Sequence, residues 1–442
     1  MQFSLSDIAQ VTNGALHGED RRVDGLSIDS RLTSSGQLFA AVAGDRDGHS
    51  FVASALAIGA GGALVERIEA DYSEGPVVVV PHMTSALESL ARAARSRLGD
   101  RVVGVTGSLG KTTTKDMLAS VLAQRFVTSA SSKSFNNELG VPITLMNAPD
   151  GTEATVVEMG ARGEGHIAYL CSMAVPTIGV ITTVEAVHTE TMGGIDAIAN
   201  VKGELIESLP ADGLAVLNSD VEVVAALAER SPAAVLTFGR TGEVRARGVV
   251  LDDELVPSFV IVSPWGEVSV RLGIRGAHNV MNALAAAAVG LSLGVSLDEL
   301  AGGLETSQNS PWRMELHRLP SGAALINDCY NASPASTRAA LEALAALDGG
   351  ESARRFAVLG VMAELGDRSI EEHRDIASIA ADLEVRIIAV GTDLYGVDPV
   401  HDPAGALEVL RSLSIEQGDA VLVKGSRVAG LEVIADSLVA RS

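Results

Sequence analysis

The stretch Thr106-Gly107-Ser108-Leu109-Gly110-Lys111-Thr112-Thr113 gathers two glycines, a lysine and four hydroxyls. Together these residue types hold phosphate. Glycines let backbone N–H groups close around phosphate oxygens, Lys111 supplies a mobile cation, and the Thr112 hydroxyl is a Mg²⁺ ligand. Such a turn needs a strand behind it and a helix N-terminus in front, whose partial positive charge faces the anion. Both are legible. Val102 to Val105 is an apolar run that reads as a buried strand, and Met117, Leu118, Val121 and Leu122 recur at helical spacing within Thr114 to Ala123. Val105 stands where the standard pattern has its first glycine. The competing reading is an ordinary glycine-rich turn. The Lys-Thr-Thr run and its flanks favour nucleotide phosphate, with Gly107, Ser108, Leu109, Gly110, Lys111, Thr112 and Thr113 as the site.

Other residues add chemistry to that turn. Glu158 ends the apolar run Ala154 to Val157. A carboxylate there, beside a phosphate turn, is where a Mg²⁺ ligand belongs; a solvated strand-end glutamate is the alternative. Ser134-Phe135-Asn136-Asn137-Glu138 is a plain turn or a nucleotide-side loop with amide ligands such as Asn137. His188 follows the strand pattern Thr177 to Thr182, and Lys202 lies in the helical pattern Ala197 to Leu209. Taken alone, these are a lone histidine and a solvated helix lysine. Asn279 and Asn282 share a face at a helix start; they read the edge of a purine, or Asn279 caps the helix. Ser27-Ile28-Asp29-Ser30-Arg31 is a capped turn with a surface ion pair, or a loop in which Arg31 meets phosphate and Asp29 and Ser30 meet a nucleotide or sugar.

The elements that must position these residues fall into three α/β domains. Residues 1–83 form a small domain, with strands at Phe39 to Val42, Gly62 to Val65 and Val77 to Val80. Residues 84–311 carry the phosphate turn, and alternation between Val235 and Leu272 predicts antiparallel strands beside the main sheet. Ser310-Pro311-Trp312-Arg313-Met314-Glu315 reads as a linker. Residues 312–442 restart as a doubly wound, Rossmann-like unit. Three of its strand ends are polar or glycine-rich: Asn327 to Asn331, Gly360 to Gly366 and Lys424 to Arg427. Ligands of open α/β sheets sit at such ends, so a second binding surface is expected there.

A net charge of -23 argues against nucleic acid or an anionic membrane as partner. Cys171 and Cys329, without metal or redox spacing, read as reduced thiols of a cytoplasmic protein. Met1 to Gln10 lacks the pattern of a signal peptide, and no apolar run is long enough to span a membrane.

Over nearly its whole length the sequence resembles the ATP-dependent Mur ligases of peptidoglycan synthesis. The carriers are Asp29-Ser30-Arg31, Gly107 to Thr113 with Lys115 and Met117, Phe135 to Pro142, Glu158-Met159-Gly160, His188, Lys202, Gly276 to Ala286, Asp328 to Ala332 with Pro334, Met362 to Gly366, and Lys424-Gly425-Ser426. The resemblance implies the branch that joins D-alanyl-D-alanine to UDP-N-acetylmuramoyl-tripeptide through an acyl phosphate. The Asn-Pro-Arg signature of the preceding ligase is absent; a tripeptide-forming or folylpolyglutamate synthase-like ligase is the alternative. It also implies a monomer that uses ATP and two Mg²⁺ ions. By resemblance, Lys111 and Thr112 hold ATP phosphates and the first Mg²⁺ with Glu158, and His188 ligates the second. Lys202, carbamylated by CO₂, becomes an anionic Mg²⁺ ligand. Asn279 and Asn282 face adenine, Arg313 phosphate and Asp328 the ribose. Ser27, Asp29, Ser30 and Arg31 belong to the UDP-sugar domain, and Asn331, Glu364, Lys424 and Ser426 to the acceptor site. Hinges at Thr84 and Pro311 are expected to close the site. Val361, Thr183, Val187 and His166 depart from the residues common at their positions.

Overall fold

The computed structural model describes residues 1–73, 75–132, 134–185, 194–350 and 353–440. His188 and Val187 lie outside them. Strand Arg101–Thr106 lies inside a six-stranded sheet whose order is Ala234–Phe238, Leu214–Asn218, Ile178–Ile181, Arg101–Thr106, Ala154–Glu158, Thr128–Ala130. Every neighbouring pair is parallel. Helices cover both faces, which is why the strand reads as an unbroken apolar run rather than an alternating one: Val102, Val103 and Val105 are all fully buried. The helix after the phosphate turn spans Lys111–Leu122. It starts earlier than its apolar spacing suggests, because the turn feeds directly into its first residue.

The alternating region resolves into two parts. Ala234–Phe238 is not antiparallel; it is the sixth parallel strand of the main sheet. Arg245–Leu251, Pro257–Ser263 and Gly266–Arg271 form a separate antiparallel sheet. Alternation alone does not distinguish an edge strand of a parallel sheet from a meander, since both have one half-exposed face.

The N-terminal sheet runs Ala15–His17, Val77–Val79, Gly62–Val65, Leu38–Ala40, Leu26–Ser27, antiparallel only in its first pair. Its core is not separate. One buried cluster runs from Leu5, Phe39 and Leu64 through Leu87 and Leu90 of helix Met83–Arg95 to Val157, Ile181 and Leu217 of the main sheet. Asn147 fastens the seam: its Oδ1 accepts the Leu26 N–H at 2.9 Å and its Nδ2 donates to the Leu26 carbonyl at 2.8 Å. The hinge expected at Thr84 therefore falls inside a helix packed into a continuous core. Close packing of this kind resists rotation.

The C-terminal sheet runs Glu315–Arg318, Ala324–Asn327, Ala420–Lys424, Arg355–Leu359, Val385–Ala389. All but its first pair are parallel. Leu341 and Ile376 bury one face, Leu410 and Ile434 the other. The linker is shorter than expected, because Glu315 already belongs to the antiparallel edge strand. Trp312 and Met314 within it hold φ values of +63° and +50°. For bulky residues that backbone costs about 1–3 kcal/mol each and persists only where the surroundings enforce it.

Candidate active site

The phosphate turn emerges between strands Arg101–Thr106 and Ile178–Ile181, where the sheet order reverses and a crevice opens. Gly107 and Gly110 have φ of +149° and +78°. A Cβ on Gly107 would lie 2.0 Å from Thr182 Oγ1, and one on Gly110 2.3 Å from Asn282 Oδ1. Neither position admits a side chain. Ser108 pins the turn to the next strand's loop: its N–H donates to the Thr183 carbonyl at 2.7 Å and its hydroxyl to the Glu185 carbonyl at 3.1 Å. Lys111 Nζ folds back onto the Gly107 and Ser108 carbonyls at 2.7 and 3.1 Å. Burial lowers its pKa; Glu158 opposes that shift and Arg313 adds to it. The first N–H groups of helix Lys111–Leu122 have no acceptor within the helix and are the natural anion donors.

Glu158, 1% exposed, ends the adjacent strand. Asn136 Nδ2 donates to its Oε1 at 2.8 Å, while Oε2 is buried and has no hydrogen-bond partner among the described residues. A buried, unpaired carboxylate oxygen beside a phosphate turn is costly unless a cation meets it. The donor set of Glu158 and the Thr112 hydroxyl thus fits a hard divalent ion. No group of three or more His, Cys, Asp or Glu placed to hold a metal ion occurs among the described residues. Lys202, on helix Ile195–Glu207, is 3% exposed rather than solvated. Burial first, then Lys111, pushes its pKa down to about 7.

Asn279 and Asn282 lie behind the turn, both buried. Asn279 does not cap its helix: His278 holds that position, and Asn279 Nδ2 donates to the Arg275 carbonyl at 2.5 Å. Asn282 Nδ2 donates to Asn279 Oδ1 at 2.8 Å, and its Oδ1 accepts from Thr114 at 3.2 Å.

The C-terminal domain supplies the opposite wall. Arg313 Nη2 donates to Thr112 Oγ1 at 3.1 Å, and its guanidinium lies 4.2 Å over the Tyr330 ring. Asp328 accepts the Met314 N–H at 3.1 Å and pairs with Lys424, whose Nζ also donates to the Asn331 carbonyl at 3.0 Å. The result is a cleft of about 510 Å³ between the two domains, walled by the phosphate turn, Glu158, Asn282, Arg313, Asp328 and Lys424.

Several expected residues are placed differently. Lys424, 2% exposed, is committed to Asp328 rather than open to an acceptor carboxylate. Asn137 is not on the cleft wall; its Oδ1 accepts the Leu139 and Gly140 N–H groups at 3.3 and 2.9 Å. Its neighbour Asn136 takes the cleft position. Ser426 is an internal tie, donating to the Ala332 carbonyl at 3.2 Å and accepting the Ala363 N–H at 2.9 Å. Glu364, at φ +64°, also lies off the cleft wall. Ser27, Asp29, Ser30 and Arg31 sit in the N-terminal domain, where Arg31 donates to both Asp29 oxygens at 2.9 and 2.7 Å. Sequence reading named the loop that holds Asn136 but singled out Asn137, and it missed Asn218, whose Nδ2 donates to the Thr182 carbonyl at 2.8 Å and which also lines the cleft.

Phosphate turn, buried carboxylate and a second doubly wound domain facing them define a nucleotide-dependent ligase of the Mur type. The family model for the Mur ligase middle domain matches residues 105–290, and that for the Mur ligase, glutamate ligase domain matches residues 312–427. The UDP-N-acetylmuramoyl-tripeptide–D-alanyl-D-alanine ligase of Mycobacterium tuberculosis (strain ATCC 25618 / H37Rv) is 38% identical, with 100% of this chain and 98% of that protein covered. The crystal structure of MurF from Acinetobacter baumannii superposes with a TM-score of 0.87 at 32% identity, covering 99% of both chains. That of the MurF ligase from Thermotoga maritima in complex with ADP superposes at 0.80 and 28% identity, covering 95% of this chain and 99% of the other. The chain belongs to the Mur ligase family, among its UDP-N-acetylmuramoyl-tripeptide–D-alanyl-D-alanine ligases.

Proposed function

We infer that this protein is the ATP-dependent ligase that joins D-alanyl-D-alanine to UDP-N-acetylmuramoyl-tripeptide. The observation that carries the reading is the cleft itself, with a phosphate turn on one wall and the strand ends of an acceptor-type domain on the other. A carboxylate is a poor electrophile because oxide is its leaving group. Its oxygen attacks the γ-phosphorus of ATP, an O–P bond forms, and ADP departs. Lys111 and the N–H groups of the turn spread the phosphoryl charge as it moves. The dipeptide ammonium gives one proton to solvent; the amine then attacks the carbonyl carbon, the C–N bond forms, the C–O bond to phosphate breaks, and the nitrogen's extra proton leaves with the phosphate or to solvent. Closure of the C-terminal wall keeps water from the acyl phosphate.

For the parts, we propose that the N-terminal domain (1–83, Ser27 to Arg31) takes the UDP-sugar, residues 84–311 take ATP, and residues 312–442 take the dipeptide, with Asn331 at that surface. We assign Glu158, Thr112 and Lys202 (as carbamate), with His188, to Mg²⁺. Bound there, Mg²⁺ would offset phosphate charge. Lys202 supports this, because a carbamate forms on a neutral amine and burial keeps much of it neutral near pH 7. The assay is phosphate release from ATP with UDP-muramoyl-tripeptide present and the acceptor varied. Turnover should require D-alanyl-D-alanine. Equal rates with D-alanine or L-alanyl-L-alanine would sink the assignment, and a requirement for free diaminopimelate or lysine would move it to the tripeptide-forming ligase.

A further inference from the structure

We propose that Asp116 is a positioning residue that docks the interdomain linker and so delivers Arg313 to the phosphate turn. Asp116 lies on helix Lys111–Leu122, just over one turn beyond Lys111, with its carboxylate turned to the linker. Its Oδ2 accepts both the N–H and the hydroxyl of Ser310, at 3.1 and 2.8 Å. Its Oδ1 pairs at 2.7 Å with Lys115, which is 2% exposed and whose Nζ donates to the Ser131 carbonyl at 2.7 Å. Ser131 Oγ in turn accepts the Glu158 N–H at 3.1 Å. A continuous run of polar contacts thus leads from the buried Glu158 to the linker.

The linker beyond Ser310 has little freedom. Asn309 Nδ2 donates to the Arg313 carbonyl at 3.1 Å, Trp312 and Met314 are left-handed, and Tyr330 N–H donates to the Trp312 carbonyl at 3.2 Å. With Ser310 fixed on the helix and Tyr330 at the other end, Arg313 has one place to go. That place is Thr112 Oγ1, one turn before Asp116 on the same helix. The helix that presents Lys111 and Thr112 to phosphate therefore also anchors the chain that brings Arg313 to them. Charge strengthens the anchor, since a carboxylate accepting two hydrogen bonds holds its donors more firmly than a neutral amide would.

The proposal rests on the ligase reading above but is tested apart from it. Asp116→Ala should lower kcat by about tenfold or more, as expected for losing charge-assisted hydrogen bonds, and leave KM for ATP within about twofold because Lys111 and Thr112 are untouched. Asp116→Asn, which keeps one acceptor oxygen, should recover part of the loss and covers the case in which the alanine variant misfolds. In an Arg313→Ala background, Asp116→Ala should add almost nothing, because Asp116 acts through Arg313. Additive losses, or an Asp116→Ala enzyme as fast as the unaltered one, would overturn the proposal. Small-angle scattering with a non-hydrolysable ATP analogue needs no acceptor. There the unaltered chain should compact and the alanine variant should compact less; equal compaction also counts against the latch. Should the unaltered chain compact yet fail to use the dipeptide, the ligase reading alone falls.

Discussion

At the scale of the residue, the site is a contest between burial and charge. Lys111 lines the cleft and its ammonium rests on two carbonyls of its own turn, so Lys111→Ala should cut turnover by about 10²-fold or more while the thermal melt moves little. A large fall in melting temperature would mark it as structural. Lys202 is the sharper case. Burial and the nearby Lys111 leave it neutral above about pH 7, whereas the unfolded lysine keeps its ordinary 10.5. Between those values the unfolded chain binds more protons, so this residue makes stability rise with pH through that window. Carbamate formation follows the same neutral fraction, so turnover at fixed dissolved CO₂ should climb as pH rises through about 7. Lys202→Met, apolar and similar in length, should abolish turnover yet stabilise the nucleotide-free protein at neutral pH by about 1–3 kcal/mol, because the folded chain no longer holds a polar amine away from water. A melting temperature below that of the unaltered chain would contradict this account. The phosphate turn was legible because all its determinants lie within a few residues of one another. Lys202 was not: helical spacing gave a solvated lysine, and only the packing of Ile195–Glu207 onto the main sheet buries it.

At the scale of the element, local chemistry decides which of two like neighbours faces the site. Asn136 and Asn137 are indistinguishable in sequence. Asn137 turns inward to hold the N–H groups that open helix Gly140–Met146, which leaves Asn136 to brace Glu158. Asn136→Ala should therefore reduce turnover, and Asn137→Ala should chiefly lower stability, by about 1 kcal/mol; a melt and an ATPase assay on the pair separate them. Lys424 shows the same limit on reading strands one at a time. Its strand end is polar in sequence, but its partner Asp328 lies just past the end of the adjacent strand Ala324–Asn327, 96 residues earlier in the chain. Strand patterns gave a doubly wound C-terminal unit but read the start of its antiparallel edge strand Glu315–Arg318 as linker, while the pairing that neutralises Lys424 belongs to sheet order, which periodicity does not encode. Fold class and phosphate turn were thus readable, and the acceptor wall was readable only as a location.

At the scale of the whole molecule, the decisive feature is where the core is continuous and where it breaks. The N-terminal domain and the main sheet share one buried cluster through helix Met83–Arg95, whereas the C-terminal sheet has a cluster on each face, joined by Leu255 alone among the described buried residues of the central region. Asn147 crosses the first seam with a two-way bond to Leu26. Asn147→Ala leaves a part-buried N–H and carbonyl without partners and should cost about 1–3 kcal/mol without changing KM for ATP. The second seam is a short linker with two left-handed residues, Arg313 and the Asp116 anchor. Motion between open and closed forms should then be confined to it: residues 1–306 move as one body and 315–440 as another. Dye pairs placed across each seam test this directly. A pair joining the N-terminal domain to the main sheet should hold its distance when a non-hydrolysable ATP analogue is added, and a pair joining the main sheet to the C-terminal domain should shorten. A change in the first pair as large as in the second would mean that the continuous core yields, and that the chain closes at both ends.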